Sequence, residues 1–212
     1  LNKATLRIAD GIGILWAAQY VGDTKSRVER VCKGLWGFFA MAVKTGAAKG
    51  VLPERVTGVD LMMRITRLSH KLGAKIFLLG AAPGVAESVA EKWRFDQIVG
   101  THAGSPAPRK EKEIIKLINQ SGANLLFVAY GAPKQEEWIA RNLKKMPKVK
   151  VAIGVGGAFD FVAGLRTRAP KWMQKAGIEW MWRLVEEPKR VQRILNATVV
   201  FPLRMMFGRD ED

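Results

Sequence analysis

Four places in the chain set residues that do chemistry beside turns that leave them room. Asp10 stands where TLRIAD (5–10) runs out and Gly11-Ile12-Gly13 begins. Gln135 lies in GAPKQEEW (131–138), and Asp160 lies in GVGGAFDF (154–161). Arg183, Arg190 and Arg193 belong to a basic stretch that also holds Trp172, Trp180 and Trp182. A strand end followed by a glycine turn is where open α/β sheets bind ligands, and the next helix start offers free backbone N–H groups to phosphate. Asp10 therefore reads as a turn or helix-cap aspartate, or as a catalytic carboxylate. Gln135 reads as a solvent-facing residue of a first helical turn, and Asp160 as a helix cap. Arg190 and Arg193, three apart, share a helix face. That face is either a solvated basic surface or, with the tryptophans, an interfacial one.

Two more glycine turns follow strand-like runs. LLGAAPGVAE (78–87) sets Gly80 and Gly84 four apart with no middle glycine, so G-x-G-x-x-G is not met and a dinucleotide-binding dehydrogenase loses ground. The backbone at Gly80 can still approach a nucleotide closely. In GTHAGSP (100–106), His102 is either a turn residue or a contact for phosphate or uracil. There is no D-x-D pair to hold Mg²⁺ against a diphosphate and no His/Cys cluster with metal spacing, so no metal and no cofactor is expected.

Taken in order, ADGIGILWAA (9–18), LPERVTG (52–58), GAPKQEEW, GVGGAFDF and the basic stretch to Arg193 resemble the WecG/TagA/CpsF glycosyltransferases, glycosyltransferase family 26. The resemblance runs from Ala9 to about Arg193. It implies an inverting enzyme that moves an N-acetylhexosamine, by analogy N-acetylmannosamine, from a UDP donor to a polyprenyl-diphosphate-linked acceptor in cell-surface polysaccharide or teichoic acid synthesis. On that basis Asp10 is the general base, with Gly11 beside it, and Gln135 contacts sugar or acceptor with Lys134 and Glu136 as neighbours. Gly80, His102, Gly156 and Asp160 would line the donor pocket, and Arg183, Arg190 and Arg193 would meet the diphosphate. One carboxylate suffices, because UDP departs as an already acidic phosphate, whereas a hydrolase would want two. Cationic side chains would then stabilise the leaving group. Two departures stand out: Ala9 replaces the family's usual proline, and the family's earlier strand and helix, with a Thr-x-Asn phrase, would precede Leu1. The resemblance thus implies an N-terminal truncation relative to the family.

Positioning these residues requires an α/β frame. KIFLLG (75–80), QIVGTH (97–102), NLLFVAYG (124–131) and KVAIGVGG (150–157) read as strands alternating with helices at Gly84 to Trp93, Pro108 to Asn119 and from Pro133 onward. The expectation is a Rossmann-like sandwich with a mainly parallel sheet over residues 1–165, followed by a basic helical appendage over 166–212 with Pro188 separating two helices. Residues 23–52 break the alternation and read as an insertion, either a surface hairpin or a membrane-facing one.

Bulk properties fit this frame. A chain of 212 residues, 48% hydrophobic, buries one good core. The formal charge of +16 calls for an anionic partner: nucleic acid, phosphate-bearing ligand or lipid headgroup. Cys32 alone excludes an intrachain disulfide framework and fits a reducing compartment. No signal-peptide pattern opens the sequence. The most apolar run, GLWGFFAMAV (34–43), is half of the roughly twenty residues a membrane span needs. The resemblance implies peripheral association with the cytoplasmic face of the membrane, and a homo-oligomer stays open. The rival reading is a non-catalytic, basic, nucleic-acid-binding α/β domain. It is weakened because the tryptophans cluster in one terminal segment rather than along a groove.

Overall fold

The computed structural model describes residues 57–175, 179–188, 191–196, 200 and 203–204. The expected strand at 5–10, the helix after it and the 23–52 insertion lie outside the described residues. Those described fall into two compact units, one formed by Thr57–Thr167 and the other by the chain from Arg168 onward.

The first unit alternates helices and strands. In chain order it contains α1 (Gly58–Leu72), β1 (Ile76–Gly80), α2 (Val85–Trp93), β2 (Ile98–His102), α3 (Glu111–Ser121), β3 (Leu125–Ala129), α4 (Lys134–Asn142), β4 (Val151–Gly154) and α5 (Ala158–Ala163). A short 3-10 turn, Pro108–Lys110, leads into α3, and another, Leu143–Lys145, follows α4. The strands pair in the order β2-β1-β3-β4, and every pairing is parallel.

The two central strands, IFLLG and LLFVA, are buried at every position. A parallel sheet covered on both faces needs such continuous apolar runs, and the period of two divides them between two cores. Ile76, Leu78, Leu125 and Phe127 pack with Met62 of α1, Val85 and Val89 of α2, and Phe159 of α5. Phe77, Leu79, Leu126 and Val128 pack on the other face with Ile114 and Ile118 of α3 and Trp138 of α4. Local signals bound the helices. The Thr57 hydroxyl accepts from the Asp60 backbone N–H at 3.2 Å to open α1, and Gly73, at φ 63°, closes it in the left-handed conformation that only glycine adopts without cost.

The chain leaves β1 toward the α2 face and leaves β3, its neighbour, toward the α4 face. Two adjacent parallel strands whose exits diverge make a topological switch point, with a crevice at their carboxyl ends. This property of the chain path positions the candidate site.

The second unit holds α6 (Lys171–Lys175), α7 (Glu179–Glu186) and α8 (Val191–Leu195), with Pro188 between the last two as the sequence suggests. Arg168 pairs with Glu179 at 3.8 Å, and Trp172 is 64% exposed. Among the described residues no helix is long and apolar enough to cross a membrane.

Candidate active site

Every strand of the sheet is followed by a glycine in the left-handed region: Gly80 (φ 103°) ends β1, Gly104 (56°) follows β2, Gly131 (77°) follows β3 and Gly156 (54°) follows β4. Gly80 and Gly104 also lack room for a Cβ, whereas at Gly131 and Gly156 it is the positive φ alone that favours glycine. At Gly80 a Cβ would lie 2.8 Å from the Ala129 carbonyl carbon, so β1 and β3 approach each other there as only glycine permits. Ala81, with φ 65°, keeps the chain in the same unusual conformation, and its N–H bonds to Ala129 O at 3.0 Å.

Gln135 is the centre of the edge. It sits in the first turn of α4, yet it is only 5% exposed, so the solvent-facing reading of this residue is corrected. Its amide oxygen accepts from Gly131 N at 3.1 Å and from Gly156 N at 2.9 Å. Its Nε2 donates to Glu136 Oε1 at 2.9 Å. The packed core of α4, anchored by fully buried Trp138, rotates Gln135 inward over the end of β4. Gly154, the last residue of β4, leaves the space it fills. The second Glu136 oxygen is buried without a hydrogen-bond partner. Lys134, first in α4, is exposed.

A second cluster lies at the β2 end. His102 is the last residue of β2, paired with Leu79, and not a turn residue. Its ring, the Tyr130 hydroxyl and the Ile114 side chain all close on Gly104, where a Cβ would meet the hydroxyl at 2.7 Å. The Tyr130 hydroxyl is buried and has no hydrogen-bond partner, and its ring meets Trp138 edge-on at 6.1 Å. Burial pushes its pKa up, so the hydroxyl keeps its proton and remains a donor. Tyr130 was not singled out from sequence, although a polar ring between an apolar strand and a glycine was the visible signal.

Asp160 does not cap α5. Gly157 holds the cap position, and Asp160 falls inside the first turn, where its carboxylate still complements the helix N-terminus. Arg166 Nε meets its Oδ2 at 3.0 Å. Between α3 and α4, Arg141 bonds Glu111 Oε1 at 2.9 Å and Pro106 O at 3.2 Å, tying α4 to the start of α3 and to the loop after β2. Burial acts to raise the Glu111 pKa. Hydrogen bonds from Asn142 and Arg141, with the positive charges of Arg141 and Lys145, overcome it and hold the carboxyl below its usual range.

Of the residues expected from sequence, Gln135, Glu136 and Gly156 form one hydrogen-bonded group, with Gly80, His102 and Asp160 on the same edge of the sheet. Asp10, Gly11 and Arg190 lie outside the described residues, as do the side chains of Arg183 in α7 and Arg193 in α8.

A parallel, doubly wound sheet whose adjacent central strands exit to opposite faces defines an α/β protein of the class whose ligand sites lie at the carboxyl edge of the sheet. Within that class the family is shown by its sequence model: residues 39–210 match the glycosyl transferase WecG/TagA/CpsF family, and the chain belongs to it. It is a glycosyltransferase with a role in cell-surface polymer synthesis. The matched stretch begins after Asp10 and Gly11 and includes every other residue named for the site.

Proposed function

We propose that the chain transfers an N-acetylhexosamine, N-acetylmannosamine by analogy, from its UDP donor to a polyprenyl-diphosphate-linked acceptor, with inversion, at the cytoplasmic face of the membrane. The observation that supports this reading is the switch point between β1 and β3, at whose carboxyl ends Gln135 joins the turns after β3 and β4. Asp10 takes the proton of the attacking acceptor hydroxyl, which approaches the anomeric carbon from the face opposite UDP. Gln135 and Glu136 shape the sugar end, and Gly80, His102, Gly156 and Asp160 border the nucleotide. Arg183, Arg190 and Arg193 neutralise the diphosphate as UDP departs, the part a metal ion plays in D-x-D enzymes. The basic appendage from Arg166 also serves the membrane surface, because Trp beside Lys and Arg suits the headgroup region.

The test is a mass-spectrometric screen of UDP-sugars against a short-chain polyprenyl-diphosphate sugar acceptor. One donor should give an acceptor heavier by a single sugar, with UDP released, and the rate should be unchanged by EDTA. Activity lost to EDTA and restored by Mg²⁺ or Mn²⁺ refutes the metal-independent mechanism, and transfer from no UDP-sugar refutes the donor class.

A further inference from the structure

We infer that Gln135 serves the reaction through the backbone, as a clasp that fixes the turn after β3 against the turn after β4, and that Gly154 is the other half of the device. The inference rests on the glycosyl-transfer reading above and assigns Gln135 a positioning role within it.

The hydrogen-bonding capacity of the side chain decides the matter. A primary amide has two acceptor lone pairs and two N–H donors. Both lone pairs of Gln135 are taken by backbone, at Gly131 N and Gly156 N. One of its N–H groups goes to Glu136, and the residue is 5% exposed. Little is left to offer a ligand. The two backbone partners are unlike: Gly131 is four residues away in the entry to the same helix, whereas Gly156 is 21 residues away beyond the next strand. The first bond is local and orders the helix entry. The second is tertiary, and it sets where the β4 turn stands relative to the β3 turn. Both glycines have positive φ, 77° and 54°, and neither carries a side chain that could anchor its position.

Gly154 is matched to this arrangement. A Cβ there would lie 2.6 Å from Gln135 Nε2, 2.8 Å from Cδ and 2.9 Å from Cγ. The amide group therefore lies flat on the end of β4, and any larger residue at 154 would lift it off both N–H groups. Polarity is matched as well. Glu136 accepts through one oxygen and has no partner for the other, so a second carboxylate at 135 would set two acceptors face to face. A transfer reaction needs its donor held to tenths of an ångström, and turns free to slide apart lose that at once.

The test uses the full chain and four variants: Gln135→Ala, Gln135→Glu, Gly154→Ala, and the exchange pair Gln135→Glu with Glu136→Gln. In the exchange pair the carboxylate at 135 accepts from both glycine N–H groups, and the amide at 136 donates to it, so the network is kept with its donor reversed. Amide hydrogen exchange at Gly131 and Gly156 reads the clasp without reference to activity. For Gln135→Ala, Gln135→Glu and Gly154→Ala both amides should exchange about tenfold faster or more, the equivalent of one lost buried hydrogen bond. Turnover should fall mainly in kcat with KM for the UDP-sugar little changed. The exchange pair should recover both protection and kcat, and being isosteric it carries the test if Gln135→Ala fails to fold. Protection recovered without turnover would mean that the Gln135 amide itself touches the ligand, and unchanged exchange at Gly156 in Gln135→Ala would mean there is no clasp. Either result overturns the inference. A wild-type chain that transfers no sugar overturns the reaction reading instead, and the exchange data still decide whether the clasp exists.

Discussion

The two ends of the sheet are built from opposite materials. At the carboxyl end the chain leaves its strands through Gly80, Gly104, Gly131 and Gly156, and the Gln135 side chain is drawn inward onto backbone. At the amino end it enters through lysines: Lys75 precedes β1, Lys150 precedes β4, and Lys144, Lys145 and Lys148 fill the approach to β4, all exposed. Lys112 and Lys116 of α3 line an open depression with Ile115 and Lys145. Much of the positive charge of this unit is therefore remote from the crevice. The lesson is that net charge pointed to an anionic partner but not to the site, because the carboxyl edge is built of glycine turns and buried polar groups rather than of formal charges.

The comparison breaks if chemistry is lost at the wrong end. The largest effect belongs to Asp10, whose Asp10→Asn change should lower kcat by about a hundredfold or more while donor binding survives, the scale of a positioned base. A near-wild-type rate in steady-state assays would remove it from the mechanism. Gly80→Ala comes next, because a Cβ would press on Ala129 backbone in a conformation alanine avoids. It should cost about 2–3 kcal/mol in urea unfolding, the range of strained and overpacked positions.

Glu111→Gln should be milder, about 1–2 kcal/mol at neutral pH for a charge-assisted hydrogen bond. The sign follows from the depressed carboxyl. The folded state binds that proton less readily than the unfolded chain, so the stabilisation is full above the ordinary carboxylate range and is lost as pH falls through the lowered folded value. Unfolding midpoints measured from neutral pH down into acid should show wild type and Glu111→Gln converging at the acid end. The smallest effect is expected at the lysine end. Changing Lys144, Lys148 and Lys150 together to Gln should leave stability within about 0.5 kcal/mol and kcat unchanged. A large loss of turnover would show that the charged end takes part after all.

Element by element, the strands announced themselves. IFLLG and LLFVA are unbroken apolar runs closed by small residues, and a run buried on both faces has few other homes than a central parallel strand. The helix start at Gly84 was equally plain, whereas α1 and the glycines that close α1 and α3, Gly73 and Gly122, were not read from the sequence. The site was legible as a set of phrases but not as an arrangement. Gln135 read as exposed because a first helical turn usually faces water, and what turned it inward was the burial of Trp138 one turn later together with the gap at Gly154. Asp160 read as a cap because glycine turns often precede one, and the turn here supplied its own cap in Gly157.

By itself the sequence determined the family, the parallel α/β class and the glycine turns at the strand ends, because these follow from residue type and short-range periodicity. Only the tertiary structure decided that β3 crosses to the far side of β1, which makes the switch point, and that one glutamine joins two turns 21 residues apart. The physical reason is the same in both cases. Strand order and a long-range hydrogen bond depend on how separate segments share two apolar cores, and no local window of sequence carries that information.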